Sequence, residues 1–375
     1  GAMSEAIRAL LKLLSIAIYA IVVERVGAFS WDTKSPWVWV LAFFMYDFFY
    51  YWAHRSGHEV NLLWASHVVH HSCEDFNLST ALRQSSTNQV FYWLFYLPMA
   101  IVGIPVTVFV IIALISLVYQ FWTHTQLVGK LGWADRVFAT PSNHRCHHGR
   151  NAYCLDRNYG GTLIIWDRLF GTYVAERDDE PVVYGTLVPL QSWNPLWGNL
   201  KNYAGIWRQV RSTQGWANKL MRVFAPPGWG SADAAVPGLQ PGPAFTRFDT
   251  PALKWQQVYG LLASAVILGL LIHLLLAAPS LSVPQRAGYA ALLVLHAVGM
   301  AWVFEGKRWA LVFEVARATL VFGALASGLW FGPVLPSAQL AALAVWAASL
   351  LVLVLARSER SRLGPQLGAP ARLSA

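Results

Sequence analysis

Apolar residues fall in long blocks separated by short polar ones, and the blocks predict helices. Residues 6–23 are apolar apart from Arg8 and Lys12, which predicts a first membrane helix. A polar loop follows at 24–35. Residues 36–53 (PWVWVLAFFMYDFFYYWA) predict a second span, with an aromatic end suited to a membrane interface. Residues 88–122 form one apolar stretch broken around Gly103 and Pro105. Those breakers predict two helices joined by a tight turn. Residues 123–250 hold no spanning block and are rich in Lys and Arg. Four further apolar blocks, 255–278, 286–304, 309–330 and 338–356, predict a C-terminal bundle of four spans.

The polar segments orient the blocks. The link Glu305-Gly306-Lys307-Arg308 and the tail Arg357 to Arg362 are charged, whereas 279–285 and 331–337 carry no Lys or Arg. Basic residues stay on the cytosolic side, so the four spans begin and end there. Residues 193–224 interleave Trp, Leu, Tyr and Ile with Lys201, Arg208, Arg211, Lys219 and Arg222. That pattern fits helices lying in the membrane interface, with core helices of a cytosolic cap as the rival. The Pro/Gly-rich stretch 226–251 reads as a linker. The expected architecture is all-α and integral to the membrane, with two domains, 4–250 and 251–375. Gly1-Ala2-Met3 reads as the remnant of a cleaved tag, and no cleavable signal peptide is expected.

Composition supports the membrane reading. The chain has 375 residues, 56% hydrophobic and only 13% charged, too apolar for an ordinary globular protein. Its net charge of +9 follows the cytosolic segments and is no nucleic-acid signature. Cys73, Cys146 and Cys154 lie beside histidines on the presumed cytosolic side, so free thiols that pack are expected, not disulfides.

Histidine decides the chemistry. Nine of the eleven histidines lie between 54 and 148, spaced His54-x3-His58, His67-x2-His70-His71, a lone His124, and His144-x2-His147-His148. Residues i and i+3 or i+4 share a helix face, so each cluster is expected to aim two or three imidazoles at one point. Neutral imidazole binds iron, zinc and copper. One ion takes three or four protein ligands, so nine histidines suit two ions. Asp47 lies seven residues before His54 and eleven before His58. It is read as accepting an N–H from a ligand histidine, with an interfacial carboxylate near water as the alternative. His273 and His296 are isolated and read as packing or hydrogen-bonding residues.

The stretches HEVNLLWASHVVHHSCEDFNLSTALRQSS (58–86), YQFWTHT (119–125) and PSNHRCHHGRNAYCLDRNYGGTLIIWDRLFGTY (141–173) resemble the membrane fatty acid hydroxylase / sterol desaturase superfamily. Within it they are more similar to the alkylglycerol monooxygenase branch. The resemblance covers roughly residues 36–230. It implies that His54, His58, His67, His70, His71, His124, His144, His147 and His148 bind two Fe ions at the cytosolic helix ends, under a soluble helical cap. It implies that Glu59 is a tenth ligand or a hydrogen-bond partner to one. Gln120 stands where some members have a further histidine, and is read as binding through its amide, through water, or only packing. Asn143 stands where some relatives have another histidine. Asp75-Phe76-Asn77 and Asp156 to Gly161 are similar to the family's segments and are read mainly as caps and turns, with shaping of a substrate or cofactor pocket as the alternative.

The implied activity is an O2-dependent monooxygenase that hydroxylates a lipid alkyl chain, with ether cleavage of an alkylglycerol as the sharper version. The implied reductant is external, a tetrahydrobiopterin or a redox protein, since no GxGxxG, haem or iron–sulfur pattern is present. A sterol, carotenoid or fatty acyl hydroxylase or desaturase is the alternative, with a zinc-dependent hydrolase or a metal transporter further behind. The expected location is a bacterial inner membrane with the site facing the cytoplasm, the endoplasmic reticulum being the alternative.

Overall fold

The computed structural model describes residues 2–230 and 247–326, with 344, 347, 348 and 351 beyond them. Its described residues are helical without strands, and hold two isolated bridges, Phe138 to Leu163 and Gly149 to Tyr184. The chain divides into two compact units. Met3–Gln191 with Trp197–Phe248 form one, and Ser192–Leu196 with Asp249–Ala375 form the other.

The first unit begins with α1 (Ala2–Val26) and α2 (Pro36–Glu59). Pro36 starts α2 at a position where its missing N–H costs nothing. Short helices α3 (Asn61–Ala65), α4 (Val68–His71) and α5 (Leu78–Ala81) follow. Two 3-10 turns, Asn88–Val90 and Tyr92–Tyr96, lead into α6 (Leu97–Val102), and α7 is Val106–Trp122. The hairpin turns where the breakers predicted. Gly103 ends α6 with φ +90, and any side chain there would strike the Phe29 backbone. The first arm is shorter than the apolar block, because residues 88–96 wind as 3-10 turns. Tyr19, Val38, Ala42, Met99, Ile104 and Val108 form the core that joins α1, α2, α6 and α7.

Four more helices follow: α8 (Pro141–His147), α9 (Ile165–Leu169), α10 (Pro195–Ser212), which belongs to the first unit from Trp197 onward, and α11 (Trp216–Phe224). α10 and α11 occupy the segment expected at a membrane interface and leave Trp207, Trp216, Leu220 and Phe224 exposed. α11 is tied to α3, since Asn61 donates its backbone N–H to Ala225 O at 3.0 Å and its amide to Arg222 O at 2.8 Å.

The second unit holds α12 (Lys254–Ala277), α13 (Val283–Phe304) and α14 (Ala310–Ala326). Segments Lys254–Ser280 and Val283–Phe304 are long and apolar enough to cross a membrane, with mean hydropathy 2.6 and 1.8. α1 and α2 are as long but less apolar; α2 carries Asp47 and many Trp and Tyr. The expected fourth span of the C-terminal bundle, 338–356, lies outside the described residues apart from isolated positions. His273 Nδ1 meets the Tyr289 hydroxyl at 2.9 Å, and His296 Nε2 meets Ala263 O at 3.1 Å.

Candidate metal centre

Nine buried histidines converge in the first unit and divide into two groups. His54, His58, His67, His71 and His147 form one; His70, His124, His144 and His148 form the other. Within each group the ligand nitrogens lie within 4.8 Å of one another. The local structure explains the division. His54 and His58 are one turn apart at the end of α2, so they face the same way. Each HxxHH triplet, expected to aim two or three rings at one point, keeps two together and sends the third to the other group. Adjacent residues on a helix point about 100° apart, so His70 and His71 diverge, as do His147 and His148. His67 and His71, at i and i+4, stay together, as do His144 and His148.

The hydrogen bonds test whether this donor set fits a cation. His54 Nδ1 lies 2.8 Å from Tyr159 O, His124 Nδ1 2.9 Å from Gln120 O, and His147 Nδ1 2.9 Å from Arg157 O. A carbonyl only accepts, so each Nδ1 carries the proton and each Nε2 turns a lone pair inward. The Nε2 atoms of His58, His147 and His148 are buried without a hydrogen-bond partner. His124 Nε2 meets His144 Nε2 at 2.9 Å and His70 Nε2 at 3.3 Å. Converging lone pairs in a buried site repel unless a cation lies among them. Burial pushes His54 down to about 3 and His124 down to about 4, and holds His67, His70, His71, His144, His147 and His148 well below the usual range. Neighbouring imidazoles add to that depression in His54, His67, His70 and His148. These rings are therefore neutral at pH 7, the form that binds metals.

The other expected site residues take different places. Asp47 touches no histidine. Its carboxylate accepts from Thr162 N at 2.8 Å, Leu163 N at 3.1 Å and Trp166 Nε1 at 2.9 Å. It thus braces the loop whose Tyr159 carbonyl orients His54. Glu59 lies outside both groups, because Arg55 takes its carboxylate at 2.9 Å on a half-exposed face. Gln120 donates its amide to Ser116 Oγ at 2.8 Å, and its backbone oxygen is what reaches His124. Asn143 accepts from Thr140 N at 3.1 Å and caps α8. Asn77 caps α5 through Ser79 N at 2.9 Å, while the Phe76 ring packs on His124 and His148. Cys73, Cys146 and Cys154 are free thiols.

Two supporting pairs escaped sequence reasoning. Asp167 accepts from Tyr159 N, Gly160 N and the Thr172 hydroxyl, each at 2.7 Å, and fixes the same loop as Asp47. Arg145, buried between His144 and Cys146, forms a two-pronged ion pair with Glu176 at 2.8 and 2.7 Å. It also donates to Thr125 O at 3.1 Å and Val128 O at 2.6 Å, next to His124. An arginine inside a histidine motif was the available signal; its acidic partner is too distant in sequence to have been paired.

A cavity of about 570 Å³ adjoins the histidines. His54, His67, His70, His124 and His144 line it, together with apolar residues of α7 such as Phe109, Leu114 and Leu117.

A family model described as fatty acid hydroxylase matches residues 39–172. Alkylglycerol monooxygenase of Xenopus tropicalis is 42% identical over 283 residues, covering 73% of this chain and 62% of that protein. The Homo sapiens alkylglycerol monooxygenase is 44% identical over 230 residues, covering 61% and 51%. Ornithine lipid hydroxylase OlsE of Rhizobium tropici is 32% identical over 146 residues, covering 38% and 44%. The chain thus spans less than two thirds of the length of these relatives. No solved structure matches it. All nine clustered histidines, with both HxxHH triplets and the lone His124 between them, stand inside residues 39–172, the segment that matches the fatty acid hydroxylase family model.

Proposed function

We propose that this chain is a membrane-bound diiron monooxygenase that hydroxylates an alkyl carbon of a lipid, the carbon beside the ether oxygen of an alkylglycerol. The observation that carries this reading is the pair of buried histidine groups with inward lone pairs, opening on a mainly apolar cavity. Similarity to alkylglycerol monooxygenases supports the ether substrate.

One ion would be held by His54, His58, His67, His71 and His147, and the other by His70, His124, His144 and His148. Iron held there would activate O2 for attack on an unactivated C–H bond, chemistry that no side chain provides. The chain's own residues do the rest. Backbone carbonyls of Tyr159, Gln120 and Arg157 fix the tautomer and direction of His54, His124 and His147. Apolar walls align the alkyl chain and exclude water. The overall balance consumes the substrate, O2, two electrons and two protons, and yields a hemiacetal and water. The hemiacetal then parts into an aldehyde and a glycerol hydroxyl. An external two-electron donor, a tetrahydropterin or a redox protein, completes the balance. In this reading residues 4–250 form the catalytic domain and 251–375 a membrane bundle, with the site at the cytosolic face of a bacterial inner membrane.

The test is metal content with O2-dependent turnover of an alkylglycerol. Two irons per chain are expected in the active protein. His54→Ala and His124→Ala, one from each group, are each expected to abolish turnover while the protein remains folded. Full activity with one iron, or turnover that persists without O2, overturns the reading.

A further inference from the structure

The cavity wall contains an amide oxygen with nothing to bind. Asn88 is 7% exposed, and its Oδ1 has no hydrogen-bond partner. It lines the same cavity as His67 and His70. Its neighbours are pinned. Ser86 N donates to Asn199 Oδ1 at 2.8 Å, the Thr87 hydroxyl meets that of Tyr203 at 2.8 Å, and Phe91 N donates to Asn88 O at 3.1 Å. The backbone therefore cannot turn away to relieve the unmet acceptor. Two other amides in this cavity meet acceptors through their N–H2 groups: Gln84 donates to Ala81 O at 3.1 Å, and Gln120 to Ser116 Oγ at 2.8 Å. A buried acceptor left unmet is costly, and sites keep one where a ligand completes it.

Chemistry says which ligand group belongs there. In an alkylglycerol, the carbon beside the ether oxygen is four bonds from the oxygen of the nearest free hydroxyl. At about 1.5 Å per bond, that hydroxyl lies within about 6 Å of the carbon to be oxidised. Recognition of the polar end must therefore occur beside the histidines, and the alkyl tail must leave along the apolar wall. Asn88 and the histidines line the same cavity, as do Leu114 and Leu117 of α7.

We propose that Asn88 accepts a hydrogen bond from the hydroxyl of the substrate's glycerol end, and so selects an alkylglycerol over a chain that lacks hydroxyls. This rests on the function proposed above. It makes Asn88 a specificity residue: a site built to bind a hydroxyl rejects the analogue without one.

The experiment uses the full chain in detergent with two probes, 1-O-hexadecylglycerol and hexadecyl methyl ether. Binding of each is followed by tryptophan fluorescence, because Trp93 lines the cavity, and turnover is measured beside it. The wild type is expected to bind the glycerol ether more tightly. Asn88→Leu, or Asn88→Ala should the bulkier variant fail to fold, is expected to shrink that preference about 10- to 100-fold. Asn88→Asp keeps an acceptor and is expected to retain the preference. Equal binding of the two probes by the wild type, or an unchanged preference in Asn88→Leu, overturns the proposal. Binding preference without turnover of either ether would refute the enzymatic reading and leave the Asn88 assignment standing.

Discussion

Asp47→Asn is the sharpest probe of how the site is held. The carboxylate is 1% exposed and accepts three hydrogen bonds, from Thr162 N, Leu163 N and Trp166 Nε1. An amide of the same shape best turns its oxygen to the two donors Leu163 N–H and the Trp166 indole, and then points its N–H2 group at Thr162 N–H. One hydrogen bond to a charged acceptor, of about 1.5–3 kcal/mol, is lost, and the other two weaken by about 1 kcal/mol each because their acceptor is now neutral. The expected destabilisation is therefore about 3.5–5 kcal/mol, a large part of a typical domain stability. In a chain of this size that lowers the unfolding midpoint by about 4–8 °C. The loop also carries the Tyr159 carbonyl that orients His54. Loosening it is expected to weaken metal binding about 10- to 100-fold. Thermal unfolding of the detergent-solubilised variant, beside an iron titration, measures both effects. A midpoint within about 2–3 °C of wild type, with unchanged iron affinity, would refute the bracing role.

Two further outcomes follow from the same geometry. The folded pKa of His54 sits near 3 and that of His124 near 4, below the ordinary 6.5 of an unfolded chain. The unfolded state then takes up protons below pH 6.5 that the folded state refuses, so stability is complete above that value and falls as pH drops towards 4. Each pH unit costs about 1.4 kcal/mol per such histidine, and a midpoint of the metal-free protein that stays flat from about pH 7.5 to 4.5 would contradict this. Arg145→Met strips Glu176 of its buried partner and is expected to cost about 3–5 kcal/mol. On the diiron proposal, chelator challenge of the iron-loaded protein should then empty the group of His70, His124, His144 and His148 first, because Arg145 ties the helix of His144 and His148 to residues 125–128; loss of both ions at one rate would count against it.

What was legible in the sequence follows from what periodicity encodes. Helix blocks and the Gly103-Pro105 turn were readable because hydrophobicity and breakers act locally. The nine histidines were readable as a set because their spacing repeats. Their partition was not, since it depends on side chains diverging around a turn: each HxxHH triplet sends its outer two rings to one group and its middle ring to the other. The supports were least legible. Asp47 reads as accepting from a ligand histidine, but its donors are Thr162, Leu163 and Trp166, more than a hundred residues away. Glu59 looked like a ligand because it follows His58, but one step along a helix turns a side chain about 100°, and Arg55 at i−4 was there to take it. Sequence proximity to a ligand therefore carries little weight on a helix. The residues that hold these rings in place are those whose hydrogen bonds close on the carbonyls behind them, and only the folded chain brings Asp47, Asp167 and Tyr159 to one loop.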